Sequence, residues 1–170
     1  MIVENASGEK QIQLAWEAFN LPSDYQGKLV DITRNKTIDL GNASQYSFNS
    51  EKQNAFKILM GKSNYVNAQL EELSTLLPSR FDLAQNSPNP FNPTTTIRFD
   101  LAHSGNIKLK VYNTLGQEVT TLASGFYLTG KYALDWNGRD RSGKQVSSGV
   151  YIYRLEMESF RKSRKMLLVK

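Results

Sequence analysis

Cysteine is absent from the 170 residues, which excludes disulfides, thiolate metal sites and a thiol nucleophile in one step. Histidine occurs once, at His103 in the polar turn LAHSGN, so no Ser-His-Asp set can be assembled around it. No phosphate-cradling glycine loop is present. No stretch approaches the roughly 20 apolar residues a membrane-spanning helix needs, so membrane insertion is not expected. The start MIVENASGEK lacks the basic-then-apolar order of a signal peptide; an export signal is expected to lie upstream of residue 1. Asp31, Asp39, Asp135 and Asp140 fall near turns and strand ends, and nothing pairs two of them as a glycosidase would. Asp135–Gly143 (DWNGRDRSG) is rich in oxygen ligands. An EF-hand, however, needs Asp or Asn where Arg139 stands, Gly where Asp140 stands and Glu where Val146 stands, so a hairpin loop is the expectation. The expectation is a non-catalytic chain without metal or cofactor.

What is present is a modest apolar fraction of 39%, with eight tyrosines and eight phenylalanines in short alternating runs. That composition suits small β-rich domains and argues against disorder. The net charge of +5 is concentrated. Residues 1–80 carry 8 basic and 9 acidic side chains, residues 81–158 carry 8 and 7, and the last twelve carry five basic and no acidic ones. A nucleic-acid binder would more often spread basic charge over a face with stacking aromatics, so nucleic acid is not expected as a partner.

The period-2 pattern predicts strands at Gln11–Trp16, Lys28–Thr33, Thr37–Leu40, around Tyr46 and Phe48, and at Ala55–Met60, in a section from about Gly8 to Gly61. Arg34-Asn35-Lys36 reads as a tight turn. About five strands fall short of the roughly seven of a complete immunoglobulin-like sandwich, so residues 1–62 read as a small β-rich module, incomplete or leaning on its neighbour. Val66, Leu70, Leu73 and Leu77 recur at helical spacing up to Pro78, which makes residues 63–80 a helical linker. Residues 81–170 show seven strand signals: Phe81–Ala84, Thr95–Leu101, Asn106–Tyr112, Gln117–Leu122, Lys131–Trp136, Val150–Met157 and Phe160–Val169. Turn dipeptides such as Leu115-Gly116, Asn137-Gly138 and Ser142-Gly143 separate them, and an antiparallel β-sandwich follows. The fold expected is therefore all-β, an immunoglobulin-like sandwich behind a smaller β-module. Trp16 and Trp136 fall on the apolar faces of their strands, so core packing is favoured over the sugar stacking of a carbohydrate-binding module.

Four segments now carry a family likeness: LAQNSPNPFNPTTTIRFDLA (Leu83–Ala102), KLKVYNTLGQEV (Lys108–Val119), WNGRDRSGKQVSSGVYIYRL (Trp136–Leu155) and the ending KMLLVK. In this order over ninety residues they resemble the C-terminal sorting domain, type A, of substrates of the type IX (Por) secretion system. Ser87 departs from the pattern, since an aromatic is common before PNPF. Residues 8–61, with LPSDYQGKLVDITRNKTIDL, resemble a β-module found ahead of such domains. The immunoglobulin-like domain of flagellar hook-capping proteins shares the fold pattern but usually lacks so full a PNPFNP segment and the basic-apolar ending. It offers the alternative of a structural self-assembly module.

The sorting resemblance implies recognition by a secretion translocon, and removal by a sortase-like peptidase near Ser74–Phe81. It implies passage through the periplasm to the medium or outer surface. Weak homodimerisation is also allowed for. The residues it points to are Pro88, Asn89, Pro90, Phe91, Gly149, Tyr151, Tyr153, Lys165 and Lys170. From the residues themselves, the prolines fix φ and remove amide donors, giving a stiff lead-in on which Phe91 is tucked as an anchor. Val150–Arg154 reads as a central strand packed on both faces. Arg161, Lys162, Arg164 and Lys165 fit either gatekeeping of an edge strand or an acidic receptor surface.

Overall fold

A computed structural model of the chain describes residues 2–4, 11–17, 20–50, 53–158 and 160–170. Gly8, where the first section was expected to open, lies outside them. The chain divides into two compact units, Met1–Leu77 and Pro78–Lys170. The strands are antiparallel throughout both units.

In the first unit, β1 (Ile2–Glu4), β2 (Gln11–Ala15) and β5 (Gln45–Asn49) form one sheet in the order β1-β2-β5. A second sheet, β4-β3-β6, is built from β3 (Tyr25–Asp31), β4 (Lys36–Asp39) and β6 (Phe56–Lys62). The alternation on β2 and β5 sets Leu14 opposite Tyr46 and Ile12 opposite Phe48, and these pack with Leu29, Leu40 and Phe56. The turn after β3 depends on Asn35, which adopts φ +52, a conformation Asn tolerates better than most residues. β3 begins three residues before the expected Lys28.

α1 (Ser63–Leu76) is the segment expected as a linker, but it belongs to this first unit. Its Val66 packs with Val30 of β3 and Leu59 of β6, with Leu70 and Leu73 beside them. β3 is thus covered on both faces, Leu29 by the facing sheet and Val30 by the helix.

Asp31 ends β3 fully buried. One carboxylate oxygen accepts from the backbone N–H of Arg34 (3.1 Å), the other from the Arg34 guanidinium (3.0 Å) and the Tyr46 hydroxyl (2.9 Å). Burial first, and the adjacent Asp31 second, push the Tyr46 phenol up to about 12. A phenol raised in the folded state contributes stability that is complete below its ordinary value near 10 and lost as pH rises through the folded value. Tyrosinate absorbance on an alkaline titration should show Tyr46 among several late-ionising tyrosines, and Asp31→Asn should make one of them ionise earlier, though burial still holds it above its ordinary value.

The second unit is a seven-stranded sandwich. β7 (Asp82–Leu83), β8 (Thr95–Leu101) and β11 (Gly130–Trp136) form the sheet β11-β8-β7. β9 (Gly105–Tyr112), β10 (Glu118–Tyr127), β12 (Gly149–Met157) and β13 (Phe160–Leu168) form the sheet β10-β9-β12-β13. Ile97, Phe99 and Leu101 from one sheet meet Ile107, Leu109, Val111, Tyr153 and Leu155 from the other in a single core. This is the expected all-β, immunoglobulin-like architecture. β10 runs five residues beyond the expected Leu122, with register shifts at Glu118/Thr120 and Thr121/Ala123 that bend it along β9. Gly138 turns the chain after β11 at φ +68, where a side chain would also meet the Pro93 carbonyl at 3.3 Å.

β12 is central, between β9 and β13, but it is packed on one face only. Tyr151, Tyr153, Leu155 and Met157 point into the core, whereas Val150 is 43% exposed and Ile152 half-buried. Among the described residues no further sheet of this unit covers that outer side, which corrects the expectation of two packed faces.

Candidate recognition site

The lead-in segment and the last strand, some eighty residues apart in sequence, are built into one element. Leu83 pairs with Phe99 and Ser87 with Thr96, so the chain first runs along β8. It then crosses to the opposite sheet. Phe91 forms a parallel bridge with Leu168: its N–H donates to the Leu167 carbonyl and its carbonyl accepts from the Val169 N–H, both at 3.0 Å. Asn89 Oδ1 accepts from the Leu167 N–H at 2.9 Å. Pro88 and Pro90 occupy the crossing, where neither sheet needs an amide donor; both X-Pro bonds there are cis.

A buried polar network fixes this crossing. Tyr153 Oη donates to the Ala84 carbonyl (2.7 Å) and accepts from the Asn86 N–H (2.8 Å). Asn86 Nδ2 donates to the Pro88 carbonyl (3.0 Å) and to Thr95 Oγ1 (2.9 Å), and Thr95 Oγ1 donates to the Pro88 carbonyl (2.8 Å). Gln85 Nε2 completes the bridge, donating to Asn86 Oδ1 and to the Lys165 carbonyl, both at 2.7 Å. Arg164 Nε donates to the Leu83 carbonyl at 2.8 Å, and Lys162 pairs with Asp82. Burial raises the Tyr153 phenol, and the Lys162 hydrogen bond holds the Asp82 carboxyl below its usual range. Both groups keep at neutral pH the protonation states their bonds require.

Of the residues expected at the site, three are core. Phe91 is 1% exposed and packs against Trp136 with the rings tilted at 54° and their centroids 5.6 Å apart. Tyr153 is buried in the network just described. Tyr151 is buried against Trp136 and donates to the Ser147 carbonyl at 2.7 Å. Gly149 opens β12 at φ +154, with open space where a Cβ would stand. The other five are exposed, namely Pro88, Asn89, Pro90, Lys165 and Lys170. Bonds from Asn89 to Leu167 and from Gln85 to Lys165 draw the exposed lead-in residues to the end of β13. There Leu167 lies opposite Val150, and Lys165 opposite Ile152. Val150, Leu167 and Val169 are all more than a third exposed, and Leu167 shares the outer side of the sheet with Lys165.

Sequence reasoning missed Gln85, Asn86 and Thr95, and gave Arg164 only as a gatekeeping or receptor-facing charge. They are ordinary polar residues in the pattern, and their partners come from the return of β12 and β13 and from the folding of the lead-in on itself. The 135–143 loop is an Asx-type turn: Asp140 Oδ1 accepts from the Ser142 N–H, the Ser142 hydroxyl and the Lys144 N–H. Trp136 is buried with its indole N–H on the Arg139 carbonyl, and the half-buried Trp16 donates to the Leu40 carbonyl. His103 is exposed and meets Phe81 edge-on.

Comparison with known proteins gives three similarities. Residues 86–160 match the family model of the FlgD Ig-like domain. A structure of PorZ, described as an essential surface component of the type-IX secretion system of Porphyromonas gingivalis, aligns at 23% identity with TM-score 0.36, covering 51% of this chain and 11% of that one. Dimeric latent PorU from Porphyromonas gingivalis aligns at 12% identity with TM-score 0.44, covering 99% of this chain and 20% of that one. The chain therefore spans a fifth or less of the length of either structure. No curated protein matches the sequence. The second unit is thus an immunoglobulin-like sandwich similar over residues 86–160 to the FlgD Ig-like domain, and the basic final strand beyond Phe160 lies outside that match.

Proposed function

We propose that residues 81–170 act as a non-catalytic sorting domain that directs an exported protein through a type IX translocon to the cell surface or medium. The observation that carries this reading is the joining of the lead-in to the terminal strand. The two ends of the motif set meet at Asn89, Phe91 and Leu167–Val169, and Pro88, Asn89, Pro90, Lys165 and Lys170 are all exposed. A receptor could read both ends of the domain there, and only when the domain is folded. If a sortase-like peptidase removes the domain, the exposed stretch Ser79-Arg80, beyond the end of α1, is the place for it, because Ser74 and Thr75 are still helical.

The test needs surface substitutions rather than truncation. Met166 and Leu168 are 1% and 0% exposed, so deleting β13 would open the core and abolish export for a trivial reason. An export signal and a fluorescent protein ahead of residues 1–170 would be expressed in bacteria with and without the translocon. The expected result is translocon-dependent fluorescence outside the cell, lost in Lys165→Glu/Lys170→Glu although that variant melts like the parent. Export that is equal in both strains, or unchanged in the variant, would count against the reading. The FlgD Ig-like match favours a second reading, a structural assembly module, which predicts retention of the fusion in both strains.

A further inference from the structure

β11 is a long, regular and uncovered edge. It pairs with β8 on one side, in an unbroken register from Gly130↔Leu101 to Trp136↔Thr95, and no strand of the described residues lies on its other side. The other edges of this unit are guarded. β10 carries two register shifts, β13 is bonded by Gln85, Asn89 and Phe91, and β7 has only two residues.

The edge is also self-complementary. Lys131, Ala133 and Asp135 are exposed on one face, while Tyr132 and Leu134 are half-buried on the other. A second copy laid antiparallel about a two-fold axis through Ala133 sets Lys131 opposite Asp135 of the second copy, and Asp135 opposite Lys131 of the second copy. Tyr132 then faces Leu134 in the same way. Both are favourable cross-strand pairs. Moving the axis to Lys131 or to Asp135 would set like charges against each other, and an axis at Tyr132 or Leu134 would set Lys131 or Asp135 against Ala133, so only the axis at Ala133 pairs both charges with opposite ones.

We propose that β11 is a homotypic interface, through which a second copy of this chain extends the β11-β8-β7 sheet in an isologous dimer. The inference does not rest on the sorting reading and can fail or hold without it. A single strand edge buries less than a standard interface, so the dimer is weak and transient, with a Kd on the order of 100 µM.

The test uses the full chain, which has no cysteine of its own. Sedimentation equilibrium should show a monomer–dimer equilibrium. Asp135→Lys should weaken it on the order of tenfold, and Lys131→Asp/Asp135→Lys, which restores opposite charges in reversed order, should recover it. On oxidation Ala133→Cys should form a covalent dimer, since the two Cβ atoms would lie about 5 Å apart across the axis. Lys131→Cys should not, its two copies being about 13 Å apart. Ala133 and Lys131 are exposed, so both cysteine variants should melt like the parent, which keeps the trapping result readable whatever Asp135→Lys does to folding. A chain that stays monomeric at millimolar concentration, or that cross-links equally from both positions, would overturn the proposal.

Discussion

Phe91→Ala is expected to destabilise the C-terminal unit by about 3–5 kcal/mol, the usual cost of emptying an aromatic site in a core. The ring is 1% exposed, packed on Trp136, and held by backbone bonds on both sides of the residue to Leu167 and Val169. Its loss would leave a cavity between the lead-in and β13 that neither rigid neighbour can close. For a unit of this size the melting temperature should fall by about 15–30 °C. Thermal unfolding followed by circular dichroism measures this. A fall of only a few degrees would mean that Phe91 does not anchor the crossing. The same variant should fail in the export assay, and that failure would report folding alone. The lysine substitutions are the informative ones for this reason.

The corresponding change in the first unit is Asp31→Ala, with an expected loss of about 3 kcal/mol. The carboxylate is fully buried and answers three donors, the Arg34 N–H, the Arg34 guanidinium and the Tyr46 hydroxyl. Alanine would leave the Tyr46 hydroxyl buried without its acceptor and free the turn that Asp31 caps. Arg34 softens the effect. It is partly exposed, donates also to the Asn49 carbonyl and to Asn54 Oδ1, and lies over the Phe48 ring at 4.6 Å, so its charge is not stranded. Asp31→Asn, which keeps an oxygen for Tyr46, should cost less than Asp31→Ala. Urea unfolding of the three chains gives the ranking; equal stability of parent and Asp31→Ala would show the cluster to be energetically idle.

Much of the second unit was legible because its chemistry is local and periodic. Alternation on Thr95–Leu101 and Gly105–Tyr112 fixes which side chains face inward. Turn pairs such as Asn137-Gly138 mark where the strands stop. The same logic found α1 from the spacing of Val66, Leu70 and Leu73, yet it could not say what that apolar stripe covers. Only the structure shows that it closes over Val30 and Leu59. The candidate site divides the same way. Proline spacing predicted a stiff lead-in with a tucked Phe91, but nothing local linked it to residues 164–169.

What the sequence determined alone was the inventory and the rhythm. It supplied no thiol, a single histidine in a turn, a basic tail, strand-length alternations (seven of them in residues 81–170) and a proline-locked lead-in, each a property of a residue or of its near neighbours. What the tertiary structure decided was which distant groups satisfy one another. Gln85, Asn86 and Thr95 carry no signal until Tyr153 and β13 return to meet them, and Val150 reads as buried until its sheet is seen to have no further sheet of the unit on its outer side. The physical reason is that periodicity reports the faces of single strands. Strand order, sheet edges and buried hydrogen-bond partners arise only when residues far apart in the chain are packed together.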